Sequence, residues 1–430
     1  MRRRFRIVMT GGVVAACLAF AGSAWATKAT VCATGCSYTS INTAIGAASP
    51  GATITIGAGT YSENVVVNKE VTLEGKGNST VIYPALSAPE CGSSSTLCGG
   101  SASTIILVEA NKVSLKKLSL KGDNPSLTSG VIRGGEDINA RNGIVENYYA
   151  GVYNDLTVEN VKVTGVYLRG IYASSEGAGF SFNHDTVENV QGDGSSIAMF
   201  NFGGSGVMSS NKVTKANDAI SANWSKGTEF VGNTVRESGS AIHTDNNGGK
   251  GGVADVIMGN KVKGCSKDGY GVWVFAPYVS ATVESNIVKG CYVGLAAFGS
   301  EVSGEGPTFS KNTVTGAGAT TSDPEGTYGA YLSTSLLGYG SGDLTAKLTG
   351  NKLEHSTTGV FVEQSTGGQA TVTASGNSID KNGKGAKGEA GTIVNAQNNW
   401  WGCKNGPNSG PPCNAVVGTV VFTPWLTAKP

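Results

Sequence analysis

Three histidines occur in the 430-residue chain, His184, His243 and His355, and one lies in the stretch S240-A-I-H-T-D-N246. Side chains on a strand alternate with period two, so His243 and Asp245 share one side if this stretch is extended. An imidazole beside a carboxylate can move a proton near neutral pH, with the carboxylate orienting the ring. Asp218 offers a second carboxylate for His243, and Arg169 and Lys250 are candidate cations to hold a developing anion. Asp245 and Asp218 could instead work as a carboxylate pair, given a separation of about 5–9.5 Å. A histidine on a strand is more often a plain solvated side chain, so the reading depends on what surrounds it.

Those surroundings follow from a repeat. The pattern apolar-x-x-Asn-x-apolar recurs as F230-V-G-N-T-V235, I257-M-G-N-K-V262, V283-E-S-N-I-V288, F309-S-K-N-T-V314, L348-T-G-N-K-L353 and A374-S-G-N-S-I379. V207-M-S-S-N-K-V213 is one residue longer, Asp185 and Val161 hold the position in weaker copies, and Asn398 ends the series. Successive positions are 21 to 27 residues apart, except for 39 between Asn312 and Asn351. Units of this length mark a solenoid. Their two-residue alternation and frequent glycines exclude helical repeats, and the spacing of a leucine-rich repeat is absent. The fold predicted is all-β: a right-handed parallel β-helix, a single-stranded solenoid of about three short strands per coil. Coils then stack at about 4.8 Å around a continuous core. Asparagine suits a turn that needs left-handed geometry, and stacked amides can bond along the column, so these asparagines are structural.

In this register a second strand of each coil turns Ile171, Ile220, Ile242 and Val272 inward. Tyr172, Phe200, Asn223, His243, Asp245, Trp273, Phe275, Phe298, Tyr331, Phe361 and Glu363 then point outward. Outward aromatics on a flat sheet can simply pair with neighbours, contributing about 0.2–1 kcal/mol each. An aromatic face left open to water would mark a binding surface instead. In that second reading sugar rings would stack on the aromatics, with Asn223 and Glu363 adding hydrogen bonds.

Composition sets the wider frame. Charged residues are 15%, against about 25% in ordinary domains, and the 64 glycines are about twice the usual share. Residues 1–26 hold four arginines, an apolar run and Ala24-Trp25-Ala26, which reads as a signal peptide cleaved after Ala26. V14-A-A-C17 allows a lipoprotein anchored at Cys17 as the alternative. The apolar run continuing to Trp25 favours a secreted, periplasmic or cell-surface protein without a transmembrane span. Losing four arginines takes the formal charge from +1 to −3, which leaves no basis for a nucleic-acid partner.

Eight cysteines remain and fall into close pairs, Cys32/Cys36, Cys91/Cys98, Cys265/Cys291 and Cys403/Cys413, the even count expected of disulfides in an exported chain. Cys265 and Cys291 each lie five residues after a repeat asparagine, so adjacent coils would bring them within disulfide range. No zinc-ligand spacing occurs, and no cofactor is expected. The recurring aspartates raise calcium, yet no Gly-Gly-x-Gly-x-Asp repeat or EF-hand loop supports it. The expected organisation is an N-terminal cap over 27–52 with a short amphipathic helix begun by Ser40, coils over 53–401, and a C-terminal cap over 402–430. Gly122 to Asp155 and Ala317 to Gly340 depart from the repeat as insertions, and the protein is expected to be a monomer.

G51-A-T-I-T-I-G-A-G-T-Y-S-E63 and the strands after it resemble the first coils of the pectin methylesterase and pectate lyase superfamily, whose Gly-x-Tyr-x-Glu segment is similar to Gly59-Thr60-Tyr61 with Glu63. N398-N-W-W-G402 is similar to the end of many bacterial right-handed β-helix proteins. The resemblance implies this fold over nearly all of the mature chain, and a polysaccharide partner. It brings no active site. The Gln-Asp-Thr-Leu, Asp-Phe-Ile-Phe-Gly and Gly-Arg-Pro-Trp segments of pectin methylesterases are absent. So are the Asp-Asp and Arg-x-Lys segments of polygalacturonases and the Arg-x-Pro-x-x-Arg pattern of pectate lyases. What it implies is an exported protein binding an extended acidic polysaccharide along the aromatic face, and processing it if His243 is a base, as in a lyase, epimerase or hydrolase. The alternative is a non-catalytic envelope or adhesin-like scaffold.

Overall fold

The computed structural model describes residues 29–93, 95–100, 102–174, 176–246, 252–275, 279–299, 306–316, 318, 326–335, 342–365 and 367–430. The leader with Cys17, Lys250 and most of the 317–340 segment lie outside them. β-Branched residues at alternate positions and turn residues between them wind the chain into a parallel β-helix, right-handed as strand–crossover–strand connections are. Each coil lays one strand on each of three faces. The first face is a 15-stranded sheet running in chain order from Ala29–Val31 to Val420–Val421. The second and third merge into one 23-stranded sheet, because Thr234–Asn246 and Lys261–Phe275 pass through the corner between them unbroken. Val213, Val235, Val262 and Val288 form a buried inward column on the second face, as Ile171, Met199, Ile220 and Ile242 do on the third.

Helix α1, Ile41–Ala47, begins at Ser40, whose hydroxyl accepts the Thr43 N–H, and buries Ile41, Ala44 and Ile45 in the first coils' core. The Glu63 carboxylate accepts the Ile41 and Asn42 N–H groups at 2.9 and 3.1 Å, satisfying donors that a first helical turn leaves open. That is the structural work of the Gly-x-Tyr-x-Glu segment here. No helix among the described residues is long and apolar enough to cross a membrane.

The asparagines form a ladder. Each Oδ1 accepts the backbone N–H of the preceding rung, as Asn286 does from Asn260 at 2.9 Å, and each amide reaches a carbonyl one coil back, as Asn286 does to Ile257 at 2.9 Å. Two details differ from expectation. The left-handed residue is the one before the asparagine: Ser210, Gly232, Gly259, Ser285 and Lys311 all have φ between 53° and 67°. The asparagine itself is occupied bridging coils, so its neighbour makes the turn. For the same reason the last rung is Asn399, which accepts the Asn377 N–H at 2.9 Å, while Asn398 is the left-handed residue before it.

All four expected disulfides form. Cys265–Cys291 joins equivalent positions of adjacent coils with a Cα separation of 4.7 Å. The other three close short loops within the chain: Cys32–Cys36 just after the first strand, Cys91–Cys98 over the third face, and Cys403–Cys413 after the last rung. Cys36 and Cys413 both lie outside the strands, and the Cys413 N–H donates to the Gly410 carbonyl at 2.9 Å to tighten its loop.

Candidate functional site

Strand register stacks Tyr172, Phe200, Ser221, His243, Trp273, Ala296, Tyr331, Phe361 and Lys387 into one outward column on the third face. It is not the open aromatic face expected. Tyr172 and Phe200 stack on each other at 4.9 Å and are buried in a cluster with Leu97 and Tyr148. Leu97 belongs to the loop closed by Cys91–Cys98, and that loop is drawn in by buried Arg141, which donates to the carbonyls of Pro89, Ser93, Ser95 and Thr96. Further along, Phe298 is wholly buried, edge-on to Trp273 and Tyr331, and Phe361 stacks on Tyr328 and Tyr331 beneath the Lys387 ammonium. The Tyr331 hydroxyl donates to the Glu363 carboxylate. Rings on neighbouring strands bury their apolar area against each other, so most of this column is already occupied by the protein. Trp273, Phe275 and Tyr331 remain half-buried.

Between these two aromatic clusters lies a polar gap. His243 Nδ1 stands 3.1 Å from Asp218 Oδ2, close enough for charge pairing though off the line of a good hydrogen bond. Nε2 lies 3.0 Å from Asn223 Oδ1, and the ring stacks on Trp273 at 4.3 Å, whose indole N–H donates to Ser240 at 2.8 Å. Burial pulls the His243 pKa down, but the carboxylates of Asp218 and then Asp245 outweigh it and hold it above the ordinary value. With an acceptor at each nitrogen, the geometry suits an imidazolium.

Asp245 makes no hydrogen bond to His243. It accepts the backbone N–H of Trp224, a left-handed residue on the preceding coil, and burial pushes its pKa to about 6. The ring's partner is therefore Asp218. Pairing joins Asp218 to Ser240 and Ile220 to Ile242 but skips Ala219 and Ala241, and this corner residue lets Asp218 reach the outward side. Equivalent corners hold glycine: a Cβ at Gly170 or Gly271 would come within 2.5 Å of the next coil's carbonyl. Beneath the site, buried Asp255 accepts from Thr244, Ser225 and the Thr228 N–H at 2.6–2.7 Å, fixing the strand that carries His243 from inside.

Asp218, Asn223 and Trp273 thus meet at His243. Arg169 does not: it lies two coils from Asp218 on the same column, roughly 9–10 Å at ordinary strand spacing. Its guanidinium sits 5.0 Å over Phe200 and donates to the Ser195 carbonyl, and burial lowers its pKa to about 10. Tyr331, Phe361 and Glu363 belong to the far cluster. The cysteines act only as staples. Cys36, bound to Cys32, and Cys413, bound to Cys403, sit at opposite ends of the coil stack and take no part in the gap, because a bridged sulfur has no thiolate to offer. Asp218 Oδ1, Ser221 Oγ and Arg169 Nε are buried without partners among the described residues. Two exposed rings escaped sequence reasoning, Phe202 and Trp224, 42% and 49% exposed with centroids 6.5 Å apart. Phe202 pairs with Asn223 across the strands, and its place two residues after Phe200 was the available signal. Among the described residues no group of three or more His, Cys, Asp and Glu is placed to hold a metal ion.

No protein-family profile matches the chain, and no curated protein does. Solved structures do. The A-module of the mannuronan C-5 epimerase AlgE6 from Azotobacter vinelandii is similar over 89% of this chain and 94% of its own, with a TM-score of 0.55 and 16% identity. The catalytic unit of a GH87 alpha-1,3-glucanase from Streptomyces thermodiastaticus aligns over 90% of this chain and 66% of its own, with a TM-score of 0.49 and 15% identity. The first of these likenesses bears out the parallel β-helix fold over the 89% of the chain that it covers.

Proposed function

We propose that this is an exported β-helix protein that binds an extended acidic polysaccharide across its third face and acts on it with the His243–Asp218 pair. The observation that carries the reading is the polar gap, where His243 is held between two acceptors beside the exposed rings of Phe202 and Trp224. Buried polar atoms left without partners nearby are the mark of a site that awaits a ligand. A sugar ring would lie on Phe202 and Trp224, with its carboxylate or leaving oxygen facing the imidazolium. Because the His243 pKa is raised, the charged form persists to higher pH than in a free histidine, and in that form the ring neutralises a carboxylate or donates a proton. The neutral ring, reached as pH rises through the raised pKa, would act as a base instead. The neighbour named for its action on mannuronan supports a uronate polymer, and the four disulfides with the leader read in residues 1–26 support export.

The test is a screen of the purified mature protein against alginate, polygalacturonate and neutral glucans, reading both binding and product formation. His243→Ala is expected to abolish product formation and weaken uronate binding, and the wild-type activity should decline as pH rises through the raised histidine pKa. Failure to bind any uronate, or full activity in His243→Ala, overturns the reading.

A further inference from the structure

The second face carries a separate feature on its outward side. Two outward rows run along it, Lys212, Thr234, Lys261, Ile287, Thr313 and Lys352 in one, and Thr214, Arg236, Lys263, Lys289, Thr315 and Glu354 in the other. Toward both ends of the face, lysines are matched by carboxylates: Lys162 pairs with Glu188 at 2.8 Å, and Lys352 with Glu354 at 3.0 Å. In the middle, Lys212, Arg236, Lys261, Lys263 and Lys289 are exposed, and none has a carboxylate within 4.0 Å among the described residues. Arg236, Lys263 and Lys289 stand directly opposite one another on three successive strands, where like charges oppose folding. The same row uses glutamate at positions 188 and 354, so the stack is not forced by the repeat.

We propose that this strip binds a linear carboxylated polysaccharide along the helix axis, one acidic sugar to each coil. A 1,4-linked uronate advances by about one strand spacing per ring while turning successive carboxylates to different sides, so the two cation rows, Lys212 and Lys261 on one side and Arg236, Lys263 and Lys289 on the other, can flank the chain and meet them. Cys265 and Cys291, each two residues beyond the stacked lysines, fix that step with a Cα separation of 4.7 Å. Holding the cations in place before the ligand arrives lowers the entropy lost on binding. A shallow groove of about 630 Å³ runs here, lined by Lys261, Lys263, Gly264, Ile287, Lys289 and Gly290, and two glycines in its wall leave room for a chain to lie close. Nucleic acid fits poorly. No outward residue in either row is aromatic, so bases find no stacking platform, and duplex phosphates advance about 3.4 Å per strand. The strip lies on a different face from His243 and does not depend on the chemistry there.

The test is made on a His243→Ala background, so loss of the third-face chemistry does not decide it. Polyuronate binding at low salt is measured for that parent and for the same protein with Arg236→Gln, Lys263→Gln and Lys289→Gln. The expected result is a loss of ten-fold or more in affinity, with Tm held or raised as the repulsion is relieved. Lys347→Gln, a charge removed from the first face, should change affinity little, and added salt should weaken the parent. Equal affinity in the triple variant, equal binding of a neutral glucan, tighter binding of duplex DNA, or no uronate binding by the parent would each overturn the proposal.

Discussion

The asparagine ladder and the His243 column both stack polar side chains coil upon coil, yet they are built in opposite ways. In the ladder every amide is spent on the scaffold: Asn260, Asn286, Asn312 and Asn351 each accept from the rung before and donate to the rung after at 2.8–3.0 Å. In the gap on the third face, two coils interrupt an aromatic column with Asp218, Ser221, Asn223 and His243, and several buried atoms have no partner. A satisfied polar column rigidifies a core, whereas an unsatisfied one weakens it. The scaffold therefore satisfies the asparagine amides that winding needs and leaves several unmet polar atoms gathered around the gap on the third face.

Breaking the ladder should have the largest effect. Asn286→Ala strands the Asn260 N–H and the Ile257 carbonyl in the core, and takes from the Asn312 Oδ1 one of its two donors. Destabilisation of at least about 2 kcal/mol is expected in urea unfolding, from a cost of about 1–3 kcal/mol for each of the two orphaned buried groups. A loss below about 1 kcal/mol, by the same estimate, would show that the ladder is ornamental.

Asp185 sharpens the comparison from inside the ladder. It takes an asparagine's place, accepting the Val161 N–H at 2.8 Å and giving its own N–H to Asn211, but its Oδ2 has no partner. At the other rungs that position is an amide donating to the carbonyl three residues before the preceding rung, as Asn211 does to Phe182. Burial pushes the Asp185 pKa to about 8, so the acid stays protonated and can donate as an amide would. A folded pKa above the unfolded one means the folded state binds more protons between about pH 4 and 8, and stability falls as pH rises through that window. His243 acts in the same direction, since its contribution is complete below its unfolded pKa and is lost as pH rises through the raised one. Glu354 sets the acid limit. Burial opposes its charge, but Lys352 and Lys429 hold its pKa well below normal, so its contribution is lost in strong acid. Tm should accordingly be higher at mildly acidic pH than at pH 8. Asp185→Asn should remove part of that slope, gaining over wild type by up to about 1.4 kcal/mol per pH unit above pH 4 and nothing below it. Parallel Tm–pH curves for the two proteins would contradict this.

The winding was legible in the sequence because one residue type recurs at one position for a physical reason, and Cys265 and Cys291 gave that register an independent check. Period-two alternation then put His243 outward without further assumption. Local pattern could not reveal what lies over the face. Tyr172 and Phe200 are closed by Leu97 and Tyr148, which come from loops outside the repeat. Asp218 reads as only one of two partners until the skipped corner residue Ala219 is seen to turn it toward the ring. Asp245, the neighbour in sequence, is taken instead by a backbone N–H. The column of glycine or alanine just before each inward residue on the third face was in the sequence and would have marked that corner.

The smallest effect on stability is expected in the gap itself, and it gives the most direct test. Asp218→Asn keeps the shape of the side chain and removes the charge that faces His243. Tm and uronate binding should be measured together for this variant beside Asn286→Ala. The account predicts a Tm close to wild type for Asp218→Asn, with binding or turnover reduced at least ten-fold. A Tm that falls as far as in Asn286→Ala, with binding and turnover unchanged, would mean that the His243 column is only another rung of the scaffold.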